Sequence, residues 1–238
     1  MPLPEGFGEF WPSGGFEFDA VKRKSGWASR LNAYYFQQNP EAQTTLGAGR
    51  IMIGDYGFFV NGKFANEVGT SLGRDPPLSP IQGHEAPRTF DTEKGQKTLG
   101  SLIMLNDSIL AADDAFKSII HRLEPGIHQF FPIEIRMPRG KILLDQYHVL
   151  VIGRYFDAYS QNDTEFGSVH EYPTGVVQVD TSKSGLNGLA VRKSVFSNAH
   201  LWRDRRFKAD LTCFSDELMA EIDKVGLRLP KHHKMKVV

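Results

Sequence analysis

The stretch LIMLNDSILAADDAFKSIIHRLEPGIHQFFPIEI, Leu102 to Ile135, decides the fold class. It opens on the continuous apolar run Leu102-Ile103-Met104-Leu105, which suits a strand buried on both faces. Asn106, Asp107 and Ser108 then offer helix caps, and Ile109, Ala112, Phe116, Ile119, Ile120 and Leu123 follow at three- and four-residue spacing, the apolar stripe of an amphipathic helix. Asp113 and Asp114 fall early and Arg122 late, an order that complements the helix dipole. Glu124-Pro125-Gly126 stops the helix. From Ile127 to Ile135 the spacing changes to two, the period of a strand, and Pro132 predicts an edge position for it.

The same order of signals recurs at the C-terminal end. Leu211-Thr212-Cys213-Phe214 reads as a strand, Ser215 as a cap, and Asp216 and Glu217 as a first turn. Leu218, Met219, Ile222 and Val225 line one helix face, and Gly226 supplies the left-handed stop before Leu227 and Leu229. This reading predicts a duplicated strand-helix-strand unit, with copies at about 101–135 and 210–237. Between them, 141–154, 175–180 and 189–196 read as strands, with 182–188 as a hairpin turn. Strands outnumber helices, which makes the expected class α+β.

Towards the N-terminus the chain is rich in glycine and aromatics. Strand-like runs occur at 16–18, 51–53 and 58–60, and one helical pattern spans 28–38. Pro76, Pro77, Pro80 and Pro87 mark 75–95 as a long loop. A division near residue 97 then separates an N-terminal β-rich region, 1–97, from an α+β domain, 98–238.

Composition narrows the function classes. Lys+Arg and Asp+Glu are equal at 28 each, so no overall positive field exists to attract nucleic acid or an anionic membrane. The single cysteine, Cys213, lies in an apolar run and reads as a buried small hydrophobe. Met1 to Gly6 has neither a basic leader nor an apolar stretch, and no run approaches the roughly 20 residues that cross a bilayer, so cytoplasmic residence is expected. Eight histidines are present, but none fall in HExxH spacing and no CxxC accompanies them, so no metal is expected. Glycine pairs at 14–15 and 47–49 lack the context of a dinucleotide or phosphate loop, and no G-x-S-x-G elbow occurs. No cofactor is expected, and no catalytic residue stands out. The basic tail Lys231 to Lys236, with His232 and His233, reads as a solvated end that can be partly ordered.

One segment departs from this plain pattern. In His200-Leu201-Trp202-Arg203-Asp204-Arg205-Arg206-Phe207 a tryptophan is interleaved with arginines, and these are the residue types that anchor protein interfaces. His200, Trp202, Arg203, Asp204 and Arg205 are therefore the candidate partner-binding residues, through guanidinium–indole stacking and pairing of Arg203 or Arg205 with Asp204 or a partner carboxylate. The competing reading puts Trp202 over the core, with the arginines paired internally.

Three pieces taken in order, 123–133, 200–205 and 214–218 with the helix and Gly226 after it, resemble a bacterial family of polymorphic-toxin immunity proteins, the family numbered eleven. The resemblance runs from Leu99 to the C-terminus. It implies a cytoplasmic, non-enzymatic inhibitor that masks a cognate secreted antibacterial toxin, a protein partner encoded by the adjacent gene. Members often accompany nuclease toxins, and the family has no established catalytic residue to carry over. Two alternatives stay open on the residues alone: a hydrolase using His200 or His128 with a carboxylate brought near by the fold, and an oligomeric scaffold suggested by the 11% aromatic content.

Overall fold

The computed structural model describes residues 80–238, except 93, 106–108, 144–145, 174 and 208–210, together with the backbone of 7–10 and 21–23. The strand and helix expectations at 16–18, 28–38, 51–53 and 58–60 lie outside the described residues.

The architecture is α+β, as the sequence predicts. The apolar run at 102–105 supplies β4 (Leu102–Met104), paired antiparallel to β5 (Leu110–Asp113) with Leu102 opposite Ala112. The expected helix start after Ser108 is thereby corrected. Ile109, Leu110, Ala111 and Ala112 are all buried, and burial of consecutive residues is a property of a central strand, not of one helix stripe. Ile109 and Ala112 fall in step with Phe116 only by coincidence of spacing. Asp113 is the cap: its backbone is extended, its carboxylate accepts the N–H of Phe116 at 2.8 Å, and α1 (Asp114–Leu123) begins behind it. Phe116, Ile119 and Ile120 form its buried face. Each such fully buried side chain contributes about 1.5–3 kcal/mol.

The chain returns as β6 (Gln129–Arg136) and then β7 (Tyr147–Val151). With β2 (Val21–Arg23) and β3 (Thr89–Thr92) they complete a six-stranded mixed sheet of order β2-β3-β6-β7-β5-β4. β6 is therefore interior, against the expected edge position. Pro132 is accommodated because β3 runs parallel to Glu134–Arg136 only, so among the described residues β6 is flanked at Pro132 by β7 alone. The segment expected as a loop, 75–95, contains β3.

Two expectations for the middle of the chain are also corrected. Residues 182–188 do not turn a hairpin. Ser182 caps α2 (Lys183–Gly188), and β10 (Val177–Val179) pairs instead with β9 (Val169–Glu171). The glycine at 185 serves close approach, since a Cβ there would lie 2.4 Å from the carbonyl oxygen of Asp180. Of the strand expected over 189–196, only β11 (Ala190–Val191) forms, followed by the short helix α3 (Lys193–Phe196).

The strands β1 (Phe7–Phe10), β8 (Tyr155–Phe156), β12 (Leu201–Asp204), β13 (Cys213–Ser215) and β14 (His233–Lys234) build a second sheet, in the order β14-β1-β13-β12-β8. Strands from both sides of residue 97 thus share each sheet. Behind β13 the serine cap operates as read: Ser215 Oγ accepts the N–H of Leu218 at 3.0 Å, and α4 (Asp216–Val225) follows, closed by Gly226 at φ 68°. The likeness between the two strand-to-helix junctions lies in their caps and buried faces, while their strands belong to different sheets. The basic tail keeps Lys231, Lys234 and Lys236 exposed but is ordered along its backbone. Met235 is buried, β14 pairs with β1, and β15 (Lys236–Val237) pairs parallel with β11.

The two sheets meet through the helices. Phe116, Ile119 and Ile120 of α1 and Leu218, Met219 and Ile222 of α4 share one core with Leu102, Leu110 and Leu150 of the first sheet and Leu201 and Phe214 of the second. Phe116 meets Phe214 edge to face at 6.3 Å. Among the described residues no helix is long and apolar enough to cross a membrane.

Candidate functional site

α1 ends at a carboxylate that the interior uses. Glu124 closes the helix with its N–H on the carbonyl of Ile120, and Pro125 and the left-handed Gly126 turn the chain so that His128 comes back beneath it. His128 Nε2 lies 2.7 Å from Glu124 Oε2, and the same oxygen accepts the N–H of Leu201, on β12, at 3.0 Å. Arg154 Nε lies 2.7 Å from Oε1, as an ion pair and not as a well-aligned hydrogen bond. The side chains of His128 and Glu124 are 0% and 1% exposed.

The hydrogen bonds also assign the histidine's proton. Gly153 donates its N–H to His128 Nδ1 at 3.2 Å, so that nitrogen must be an acceptor and the proton resides on Nε2, directed at Glu124. Arg154 stands beside Oε1 as a counter-charge to Glu124. Burial pushes the Glu124 carboxyl up, but the hydrogen bond and electrostatic attraction of His128, the peptide N–H between His200 and Leu201 and the Arg154 charge outweigh it and leave the group below its ordinary range. Gly153 admits no larger residue, because a Cβ there would lie 1.9 Å from the carbonyl oxygen of Ile127.

The neighbouring strand end is tied in by a second polar contact. His200 Nδ1 lies 2.8 Å from Ser215 Oγ, and the backbone N–H of Ser215 donates to the His200 carbonyl at 2.9 Å. Glu217 Oε2 stands 3.9 Å from the same Nδ1. Serine, histidine and glutamate together suggest a nucleophilic triad, but the geometry differs in two respects. A triad carboxylate orients the base through the nitrogen remote from the nucleophile, whereas Glu217 approaches the near one. Ser215, moreover, is fully buried and its oxygen is occupied in capping α4. Of the carboxylate–histidine pairs among the described residues, Glu124–His128 is enclosed in the protein, whereas His200–Glu217 and His148–Asp114 reach the surface through their carboxylates.

The five residues singled out at 200–205 divide by exposure. Trp202, Arg203 and Asp204 are 0%, 3% and 2% exposed, whereas His200 and Arg205 keep partial exposure. The indole of Trp202 stacks on Phe196 at 4.8 Å, not on a guanidinium, and meets Phe156 edge to face at 5.7 Å. It is a core residue of the second sheet. The cation–aromatic contact in this region is made by Arg206 over Tyr159, at 4.9 Å. Arg203 Nε faces Thr212 Oγ1 at 3.4 Å.

Asp204 is engaged by backbone. Its Oδ2 accepts the N–H groups of Ala158 and Tyr159 at 2.7 and 2.8 Å, and its Oδ1 that of Arg206 at 2.9 Å. Burial pushes its carboxyl up to about 6 in spite of these three donors. Cys213 is fully buried, and burial holds its thiol well above the ordinary range, consistent with an inert hydrophobe.

Sequence reasoning does not single out Glu124, Arg154 or Gly153 as a site. The signals for them are faint: a charged residue immediately before Pro125-Gly126, with a histidine four positions on, and a glycine closing the apolar run Val149 to Ile152. No sequence pattern announces that the carboxylate reaches a peptide N–H 77 residues away.

What the fold and this site define is an α+β scaffold that uses its buried acids and histidines to join its own elements. Residues 25–236 match the model of a family described as Immunity protein family (Imm11). The chain belongs to this immunity protein family. No curated protein matches it.

Proposed function

We propose that the chain protects the cell that makes it by binding a cognate secreted antibacterial toxin in the cytoplasm and masking it through protein–protein contact. The observation that carries this reading is the family match over 25–236. The buried state of the polar groups supports it, since the Glu124–His128 pair is enclosed and contributes cohesion in place of proton transfer. A nuclease encoded by the adjacent gene is the toxin that the family resemblance favours. Within the 200–205 segment, His200 and Arg205 retain exposure and are the residues we assign to the contact, while Trp202, Arg203 and Asp204 act from inside by holding β12.

Co-expression provides the test. Cells carrying the toxin encoded beside this gene should grow when the chain is present and die when it is absent, and the two proteins should co-purify. Failure to rescue or to co-purify overturns the reading.

A further inference from the structure

We infer that the loop Gln161–Ser168 is the toxin-docking element, with Phe166 as its apolar anchor and the acids around it selecting a basic surface on the partner. This deepens the proposed function and rests on it. Phe166 is 108% exposed, while the other exposed large hydrophobics among the described residues are aliphatic and span only 37–57%. Aromatic side chains are enriched in interface cores, where they offer large contact area.

The loop presenting Phe166 is tied down on both sides. Thr164 is bound to Ser160 twice, by its N–H at 3.2 Å and its hydroxyl at 2.7 Å to the same carbonyl. Thr164 Oγ1 also accepts the N–H of Ala190 at 3.0 Å, and Glu165 donates its N–H to the carbonyl of Gly188 at 2.9 Å. Ser160 Oγ donates to Asp163 at 2.6 Å. Gly167, at φ 89°, turns the chain directly after the phenylalanine, and Ser168 returns an N–H to the carbonyl of Glu165 at 3.1 Å. An aromatic ring held in water by a loop fixed through its backbone is already arranged for binding, so little ordering cost remains to be met on association.

The charge around it has one dominant sign. From Tyr155 to Ser182 the chain carries Asp157, Asp163, Glu165, Glu171 and Asp180 and no lysine or arginine, within a protein whose overall charge is balanced. Asp157, Asp163, Glu165 and Asp180 are exposed. Three cations border these acids: Arg206 pairs with Glu171, Arg192 donates to the carbonyl of Asp157 at 2.6 Å, and Lys236 reaches the loop through the carbonyl of Asp163 at 3.2 Å. The complementary surface is a basic one with an apolar recess, and acidic side chains at its rim would speed encounter.

The full-length chain is titrated with a catalytically inactivated form of the toxin encoded beside this gene, using calorimetry and stopped-flow association at several salt concentrations. Phe166→Ala should weaken binding about 30-fold or more through faster dissociation. Asp163→Asn with Glu165→Gln should slow association and flatten its salt dependence. Val225→Ser, at a site on α4 that is 57% exposed, should match wild type. Because Phe166 is fully exposed, its variant should keep the wild-type melting temperature, so that a loss of binding is not a loss of folding. If wild type binds and Phe166→Ala binds within about two-fold of it, the docking assignment is overturned while the immunity reading stands. If wild type sediments as a dimer that Phe166→Ala dissociates, the loop's occupant is a second copy and the assignment is likewise overturned. If wild type does not bind the toxin, the immunity reading itself fails.

Discussion

Replacing Glu124 with alanine should destabilise the fold severely, because it strips the junction between α1 and β12 of its shared acceptor. The change removes one acceptor from two buried donors, the His128 ring N–H at 2.7 Å and the Leu201 N–H at 3.0 Å. Each buried donor left unpaired costs about 1–3 kcal/mol. Arg154 also loses its counter-ion, but its side chain is 32% exposed, so water meets much of that loss and nothing is added for it. Two such donors cost about 2–6 kcal/mol, and the usual cost of breaking a buried pair, about 3–5 kcal/mol, falls within that range. In a chain of this length about 2–4 °C accompanies each kcal/mol, so the melting midpoint should fall by about 6–20 °C. Glu124→Gln keeps an oxygen for both donors and loses chiefly the charge, at about 1–2 kcal/mol. Urea titration and thermal melting of the three proteins measure these differences. The Glu124 carboxyl is held below its ordinary value of 4.5 in the folded state, so its contribution is present above that pH and is lost as pH falls through the folded value. The gap between wild type and Glu124→Gln should therefore narrow below pH 4.5. An alanine variant melting within about 2 °C of wild type would refute the reasoning.

Asp204 should act in the opposite sense. Its folded-state carboxyl is raised from 3.8 to about 6, so the folded state holds a proton that the unfolded chain releases, and stability falls as pH rises from 3.8 through 6. The shift corresponds to about 3 kcal/mol, and Asp204→Asn should abolish that slope in urea midpoints measured across the range; an unchanged slope would exclude Asp204 as its source. Gly153→Ala should cost at least about 1–3 kcal/mol, because the new methyl collides with the Ile127 carbonyl and the shift it forces draws Gly153 N–H from His128; the urea midpoint reads this directly. Trp202→Ala should lower stability by about 3–5 kcal/mol while the folded fraction binds the toxin with wild-type affinity, whereas a loss of affinity in the folded protein would return Trp202 to the interface.

The parts of this fold that are legible in the sequence are those governed by local physics. The Ser215 cap, the Gly226 stop, the Leu218, Met219 and Ile222 face of α4 and the arrest of α1 at Pro125-Gly126 each depend on residues within one or two turns, and each is where the pattern puts it; Val225, read into the same face, is exposed. The misreadings share another cause. At Ile109–Ala112 two periods fit the same letters, and only pairing with β7, where Leu110 faces Leu150, selects the strand. At 182–188 the glycines suggest a turn, but a Cβ on Gly188 would lie 2.3 Å from Ser168 Oγ, a contact made across twenty residues of chain. The tail at 231–236 looks solvated by its charge, and its lysines are exposed, yet its backbone bonds Leu189 and is stitched between two sheets. In each case a tertiary contact overrules a local preference.

The candidate site follows the same division. Arginine and tryptophan at 200–205 are the residue types of an interface, and composition alone cannot tell whether such residues face a partner or the protein's own interior. Three of the five turn inward. The reason lies in what the family-like pieces do. The first supplies Glu124 and His128, the second supplies the Leu201 N–H that Glu124 accepts, and the third supplies the Ser215 that binds His200. These pieces converge on one interior junction, so the resemblance they carry is a resemblance of scaffold. A scaffold held together in this way leaves recognition to residues that contribute little to it. The exposed loop around Phe166 satisfies that condition, because its side chain can be changed without touching the junction. On the proposed assignment, substitutions in the Phe166 loop should change partner binding and leave the melting temperature alone, while substitutions at the Glu124 junction should do the reverse.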